Sequence, residues 1–101
     1  MIVGEEYIVR VVRLTFSEES IEAFNDLYQK NEKDIASQPG CLSVDLVEDS
    51  SNPYVRATIS KWQNEESLNR YRHSELFGVV WPATKALFGA KPEVWTYKAR
   101  R

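Results

Sequence analysis

Residues 41–62, CLSVDLVEDSSNPYVRATISKW, contain two apolar segments on either side of a polar turn. Residues 41–48 alternate in part between apolar and polar side chains, and residues 54–62 are rich in the β-branched and aromatic residues that favour strands. Residues 49–53, DSSNP, consist of Asp, Ser, Asn and Pro, which favour turns. We therefore predict that the two segments pair as a β-hairpin.

The segment before this hairpin predicts a strand and then a helix. Residues 7–16, YIVRVVRLTF, are rich in β-branched residues, which indicates a strand. Ser17 offers an N-cap for the helix that follows, with acidic residues in its first turn. Pro39-Gly40 ends that helix. Its apolar positions recur at spacings of three, four and seven, so we expect one buried stripe made of Ile21, Phe24, Tyr28 and Ile35.

The segment after the hairpin predicts two short helices and a last strand. Asn64 can cap the first helix and Ser74 the second, which we expect to run through Leu87. Residues 93–99, EVWTYKA, have the composition of a strand. We expect its Trp95 to pack under the helices.

The resulting order is β-α-β-β-α-β, with the second helical region in two parts. This order is typical of the ferredoxin-like α+β fold, in which four antiparallel strands carry their helices on one face. A chain of 101 residues is long enough for one modest core. We therefore expect residues 1–101 to form a single domain.

Both faces of the predicted sheet carry apolar side chains, although the chain supplies helices for only one of them. The face without helices carries Val9, Val11, Val55, Ala57 and Ile59. An exposed apolar patch of this kind is typical of an interface. The sequence therefore predicts a homodimer that buries this face.

Composition argues against several classes of function. The formal net charge is −2, from 13 basic and 15 acidic residues, so no basic field is available to bind nucleic acid. One cysteine and one histidine are too few for a zinc site built on those residues. No apolar run has the length that spans a bilayer, and the N-terminus does not have the pattern of a signal peptide. We expect a cytoplasmic protein with no metal, nucleic-acid partner or membrane partner.

Several motifs resemble the antibiotic biosynthesis monooxygenase family. They are PGC at residues 39–41, DSSNPY at 49–54, KWQNEESLNRYRHSELF at 61–77 and KALFGAKPEVW at 85–95. The resemblance covers nearly the whole chain. It implies a dimeric α+β barrel, in which each subunit holds a pocket between its sheet and its helices.

The resemblance also identifies positions in that pocket. In the heme-degrading branch of the family, an asparagine, a tryptophan and a histidine form the heme site, and these fall on Val12, Tyr71 and Trp81. Because no heme-site residue is retained, heme is not expected, and no other cofactor is implied. In the aromatic polyketide monooxygenases, an asparagine and a tryptophan of the third strand line the pocket, and these fall on Thr58 and Trp62.

The residues themselves support two interpretations of this region. Tyr71, Phe77 and Trp81 suit the walls of a pocket for a flat aromatic molecule, but the same spacing is also that of plain core packing. Arg10, on the pocket face of the first strand, could bind an anion, or could reach water or an acidic residue. The candidate substrate-binding residues are Arg10, Thr58, Trp62, Tyr71, Phe77 and Trp81.

Two further residues have chemistry of their own but weaker support. His73 could move a proton near neutral pH, but its neighbours favour a solvated helix junction. Cys41 has no adjacent base to make it a thiolate, and we expect it to pack. No catalytic residue is assigned.

Two functions are compatible with these observations. The first is a cofactor-independent monooxygenase that oxidises a small phenolic, quinol or similar aromatic substrate with O2, since the ionised substrate can itself donate an electron to O2. The sequence contains no GxGxxG fingerprint for a flavin or nicotinamide. The second is a non-catalytic dimer of the same fold that binds a small molecule or serves in a stress response.

Overall fold

The computed structural model describes residues 6–100. The elements in chain order are β1 (Glu6–Thr15), α1 (Ile21–Ala36), β2 (Cys41–Glu48), β3 (Val55–Trp62), α2 (Glu65–Arg72), α3 (Glu75–Lys85) and β4 (Glu93–Arg100). The predicted hairpin is confirmed, as are its two strands and the division of the second helical region into two helices.

The four strands form one antiparallel sheet in the order β2-β3-β1-β4. This is the ferredoxin-like arrangement expected from the element order. Strand β1 lies inside the sheet between β3 and β4, so its residues pair on both sides. Val12, for example, pairs with Thr58 of β3 and with Val94 of β4.

Two of the three predicted helix caps are confirmed. The Asn64 side chain accepts a hydrogen bond from the backbone N–H of Ser67, and the Ser74 hydroxyl accepts one from that of Phe77. The prediction of Ser17 as the cap of α1 was wrong, because α1 begins at Ile21 after a turn and Ser20 occupies the N-cap position. The Ser20 hydroxyl donates to the carbonyl oxygen of Leu87 at 2.7 Å, and this contact fixes the turn in front of the helix.

Helix α3 ends at Lys85 and not at Leu87 as expected. Leu87 and Phe88 leave the helix and pack against the core instead. The chain also forms a bridge there between Phe16 and Phe88. The end of α3 is therefore tied to the end of β1.

The core on the helix-covered face consists of two separate clusters. One joins the end of β1 to α1 and contains Leu14, Phe16, Ile21, Phe24 and Tyr28. The other, at the opposite end of the sheet, contains Ile8, Trp62 and Leu68. All four residues of the predicted α1 stripe are buried. Between the two clusters, Arg10 pairs with Ser60 and Val12 pairs with Thr58 across β1 and β3. Polar or small side chains therefore separate the two clusters.

The other face of the sheet is apolar and partly exposed. Val11 lies between Ile59 of β3 and Trp95 of β4 on this face. The expectation that Trp95 packs under the helices was wrong: it is 39% exposed and pairs with Val11, whereas its neighbour Val94 pairs with Val12 on the helix-covered face. The alternation of β4 therefore adds an aromatic ring to the uncovered face.

Candidate functional site

A cavity of about 260 Å³ lies between the sheet and the three helices. It occupies the gap between the two core clusters, where the middle rows of the sheet carry small or polar side chains. Strands β1, β2 and β3 form its floor, and α1, α2 and α3 form its walls. Its polar and aromatic lining includes Arg10, Tyr28, Thr58, Ser60, Trp62, Tyr71, Arg72, Phe77 and Trp81.

The structure brings all six predicted site residues to this one cavity. Arg10 comes from β1, Thr58 and Trp62 from β3, Tyr71 from α2, and Phe77 and Trp81 from α3. Alternation along β1 and β3 placed the strand residues on shared faces, and the family resemblance identified those faces as the pocket side. Whether these residues bind a substrate remains a prediction.

The aromatic residues form a continuous series of ring contacts along the cavity. Trp62 stacks on Tyr71 with centroids 5.0 Å apart, and Tyr71 meets Phe77 edge-on at 5.2 Å. Phe77 stacks on Trp81 at 5.8 Å with an interplanar angle of 15°. The two interpretations of these rings are therefore compatible, because the rings pack on one another as a core and also present surface to the cavity.

Trp62 is the anchor of this series. Its side chain is fully buried, and its indole N–H donates a hydrogen bond of 3.0 Å to the Ser60 hydroxyl. Since both residues also line the cavity, that bond fixes the orientation of one wall. The sequence alone did not indicate the role of Ser60.

Arg10 lies on an internal strand and faces the cavity. Its guanidinium donates a long, solvent-exposed hydrogen bond of 3.4 Å to the hydroxyl of Thr96, its pairing partner on the edge strand β4. Within residues 6–100, no carboxylate oxygen lies within 4.0 Å of a guanidinium nitrogen of Arg10, so Arg10 forms no ion pair there. Burial, followed by the positive charge of Arg72, lowers the pKa of the Arg10 guanidinium. Arg10 remains a cation. The ion pair that was one of its alternatives is not formed with any acidic residue of the described chain.

Tyr28 is a polar contributor to the cavity that sequence reasoning treated only as core. Its ring is buried in the cluster around Phe24, but its hydroxyl is buried without a hydrogen-bond partner in the described chain. Burial, followed by the negative charges of Glu32 and Asp45, raises the pKa of Tyr28 to about 12. A tyrosine within an otherwise apolar helix stripe was the available signal, because its hydroxyl must reach either a partner or a cavity.

Tyr71 is also held in its neutral form. Burial raises the pKa of Tyr71 to about 12, and the nearby positive charge of Arg10 opposes this shift only in part. The Tyr71 hydroxyl is therefore a hydrogen-bond donor at neutral pH and not a base.

His73 and Cys41 do not line the cavity. His73 is exposed at the C-cap of α2, where its Nδ1 lies 2.7 Å from the carbonyl oxygen of Asn69. Cys41 packs against the cluster around Trp62, and burial raises the pKa of its thiol. Both positions agree with the structural interpretation of these residues.

Two other kinds of site are missing from the part of the chain that the structure describes. Residues 6–100 contain no group of three His, Cys, Asp or Glu side chains placed to hold a metal ion. Within the same residues, no helix has the length and apolar character needed to cross a membrane. The cavity is therefore the feature of the described chain that best suits a small molecule.

Solved structures share this fold over nearly the whole chain. A conserved protein from Methanosarcina mazei Go1 superposes with a TM-score of 0.88 at 19% identity, covering 92% of each chain. A proposed antibiotic biosynthesis monooxygenase from Nitrosomonas europaea gives 0.87 at 13% identity, covering 98% of this chain and 94% of that one. A proposed antibiotic biosynthesis monooxygenase from Deinococcus radiodurans gives 0.84 at 20% identity, covering 91% of both. At such identities the likeness establishes the fold alone.

The sequence itself supports a narrower assignment. No curated protein matches the chain at a significant level. The family model described as Antibiotic biosynthesis monooxygenase matches residues 7–80, which span β1 to the middle of α3. These residues include both arginines and both tyrosines of the cavity. The chain therefore belongs to the antibiotic biosynthesis monooxygenase family.

Proposed function

We propose that this protein is a cofactor-independent monooxygenase that oxidises a small phenolic, quinol or similar aromatic substrate with O2. The observation that carries the proposal is the composition of the cavity. Stacked aromatic side chains, a guanidinium and neutral hydroxyl groups line one cavity. Such a space suits a flat molecule that becomes anionic before it reacts.

The reaction balances without a reducing cofactor. A phenol loses its O–H proton to form a phenolate, which transfers an electron to O2. Recombination forms a C–O bond at a ring carbon that carries hydrogen. The O–O bond then breaks: one oxygen atom stays on the ring as a quinone carbonyl, and the other leaves as water with the two substrate hydrogens. Four electrons pass from the substrate to O2, so no external reductant is needed.

Each of the six predicted site residues has a role in this scheme. Arg10 stabilises the substrate anion, because a positive charge in a partly buried site lowers the pKa of a bound phenol. Tyr71 and Thr58 donate hydrogen bonds that orient the substrate oxygens. The rings of Trp62, Phe77 and Trp81 form the walls that exclude water.

We also propose that the protein functions as a homodimer through the uncovered face of the sheet. The supporting observation is the row formed by Ile59, Val11 and Trp95. Val47, Ala57, Val9 and Tyr97 flank this row, and several of these side chains are exposed, including Tyr97 at 53%. A second copy that presents the same patch would bury both.

One observation favours a second function, a non-catalytic dimer that binds a small aromatic molecule. Of the described residues that line the cavity, none is His, Asp or Glu, so no side chain with a pKa near neutrality is at hand to act as a base. Turnover under the first proposal must then rely on substrates acidic enough to ionise beside Arg10. A binding protein has no such requirement.

Oxygen uptake distinguishes the two functions. A panel of hydroquinone, 1-naphthol and anthrone is offered to wild-type protein and to three variants. With Tyr71→Phe, we expect at least one substrate to be consumed about tenfold more slowly, the equivalent of one hydrogen bond worth roughly 1.4 kcal/mol in the transition state. Arg10→Met should lower the rate similarly, and His73→Gln, which changes an exposed residue, should leave it unchanged. Uptake no faster than in buffer with every substrate would contradict the monooxygenase proposal for this class.

A further inference from the structure

We infer that the ligand of this cavity is an aromatic carboxylic acid with a hydroxyl group on its ring. Its carboxylate binds to Arg10 and Arg72, and its ring hydroxyl contacts Tyr28. The inference rests on the proposed function only in so far as it treats this ligand as the substrate. The binding site itself follows from the charges and the unpartnered groups around the cavity.

The first observation is a pair of cations without an acidic partner. Arg10 from β1 and Arg72 from the end of α2 line the same cavity, whose described lining includes no carboxylate. Neither guanidinium makes an ion pair with any residue between 6 and 100. The two are close enough for the charge of Arg72 to lower the pKa of Arg10. Arg10 is partly buried and Arg72 is exposed at the end of α2, so the two like charges repel each other across the cavity, and an anion placed between them would be attracted by both.

The number of charges favours a carboxylate in addition to a phenolate. A phenolate alone would balance one guanidinium and leave the other uncompensated. A carboxylate remains ionised throughout the neutral range, and its two oxygen atoms match the paired N–H groups of a guanidinium. A carboxylate between Arg10 and Arg72 is therefore charged before the phenol ionises, and it leaves the ring hydroxyl for the contact with Tyr28.

The second observation, independent of the first, is the hydroxyl of Tyr28. This side chain is only 7% exposed, lines the cavity, and leaves its hydroxyl oxygen buried without a partner in the described chain. A buried hydroxyl without a hydrogen bond costs free energy, and a ligand oxygen at this point would satisfy it. Because Tyr28 stays neutral, it can donate to a phenol or phenolate oxygen of the ligand.

The size of the cavity limits the ligand further. Its volume of about 260 Å³ lies just below the roughly 300–1,000 Å³ of pockets that take drug-sized molecules. One ring or two fused rings with small substituents therefore fit better than a larger polycyclic molecule.

Calorimetric titration with non-substrate probes tests the charge requirement. The probes are 6-hydroxy-2-naphthoate and its amide, 6-hydroxy-2-naphthamide, which differ at the carboxylate alone. We expect the acid to bind wild-type protein about tenfold or more tightly than the amide. Arg10→Met and Arg72→Met should each remove most of this preference. Arg70→Met changes an exposed arginine of the same helix outside the cavity lining, and it should keep the preference.

The Tyr28 contact has its own test. 2-Naphthoate lacks the ring hydroxyl and should bind wild-type protein more weakly than 6-hydroxy-2-naphthoate. Tyr28→Phe should abolish that difference. The thermal unfolding midpoint of this variant should be no lower than that of wild type, because the removed hydroxyl has no hydrogen-bond partner in the described chain.

Two results of the titration with the acid and the amide would overturn the inference. The first is equal affinity of wild-type protein for the two probes. The second is a loss of preference in Arg70→Met equal to that in Arg10→Met and Arg72→Met.

Failure of this inference is distinguishable from failure of the proposed function. Binding of the naphthoates requires no O2, so a carboxylate preference that depends on Arg10 and Arg72 supports the site even if no substrate is oxidised. Conversely, oxygen uptake can be compared for 2,5-dihydroxybenzoate and hydroquinone. Equal kcat/KM for these two would overturn the acid requirement and leave the monooxygenase proposal standing.

Discussion

The phenols of Tyr28 and Tyr71 lie at one cavity, and burial raises the pKa of each from 10.0 to about 12. The folded protein therefore holds these two protons more tightly than the unfolded chain does. The stability that this provides is fully present below pH 10 and is lost as the pH rises from about 10 through 12. Neither phenol acts as a base at neutral pH.

This pH dependence can be measured by following tyrosinate absorbance between pH 8 and 13. We expect Tyr28 and Tyr71 to ionise late, near pH 12, as the fold is lost. Tyr28→Phe and Tyr71→Phe should each remove one late-ionising phenol. An unchanged late phase in both variants would contradict the assignment of these two residues to a buried site.

At the scale of single residues, sequence reasoning found the aromatic walls but missed part of the polar content. Phe77 and Trp81 were identified because large rings at a helix spacing have few alternatives to a core or a pocket wall, whereas Trp62 was identified only through the family resemblance. Arg72 was missed because its direction depends on how α2 packs over the sheet, which no local pattern of α2 specifies. The distinction between a buried ring and a buried hydroxyl at Tyr28 also requires the tertiary structure.

At the scale of secondary structure elements, Gly40 explains why the Pro39-Gly40 dipeptide separates α1 from β2. Its φ is +81°, which L-residues adopt only with strain. A Cβ at this position would also overlap the Cβ and Oγ of Ser67 on α2. The Pro39-Gly40 sequence was therefore a reliable predictor of the helix end, because it reflects a backbone conformation and a close approach that both favour glycine.

A pair of glycine substitutions tests this explanation. Gly40→Ala should destabilise the protein by about 1–3 kcal/mol. Gly78→Ala is the matched control: Gly78 lies within α3, and a Cβ there meets no atom within 4 Å, so the variant should be about 0.5–1 kcal/mol more stable than wild type. Urea unfolding measures both. Equal effects of the two substitutions would show that Gly40 is not required by its conformation.

The element boundaries that prediction missed were set by contacts distant in sequence. Both Ser17 and Ser20 have the side chain of an N-cap, and the contact of Ser20 with Leu87, 67 residues away, distinguishes them. Trp95 was misplaced for a similar reason, since its face depends on the register of β4 against β1. Both ends of strand β2, Cys41 and Glu48, were predicted correctly. The Pro-Gly sequence before the strand and the polar turn after it are local signals.

At the scale of the whole molecule, the uncovered face of the sheet predicts how the chain associates. Val11 lies at the centre of the patch, between Ile59 and Trp95. In the dimer, Val11→Asp would bury an unpaired carboxylate in the interface, which costs several kcal/mol. In the monomer, the same carboxylate would be half-exposed and could reach water. We therefore expect the variant to sediment as a folded monomer.

Sedimentation velocity with a matched control checks this expectation. Val79→Asp makes the same change at a residue of α3 that is 67% exposed, and it should remain dimeric like wild type. A wild-type protein that sediments as a monomer at micromolar concentration would contradict the proposal that this face is an interface.

The proposed reaction inserts one atom of O2 into an aromatic substrate bound in the cavity between the sheet and the helices. Mass spectrometry of the product formed under ¹⁸O₂, from the panel substrate with the fastest oxygen uptake, shows whether this insertion occurs. We expect one ¹⁸O atom per quinone product, one O2 consumed per product, and no accumulation of hydrogen peroxide. A product without ¹⁸O, with one hydrogen peroxide released for each O2 consumed, would contradict it.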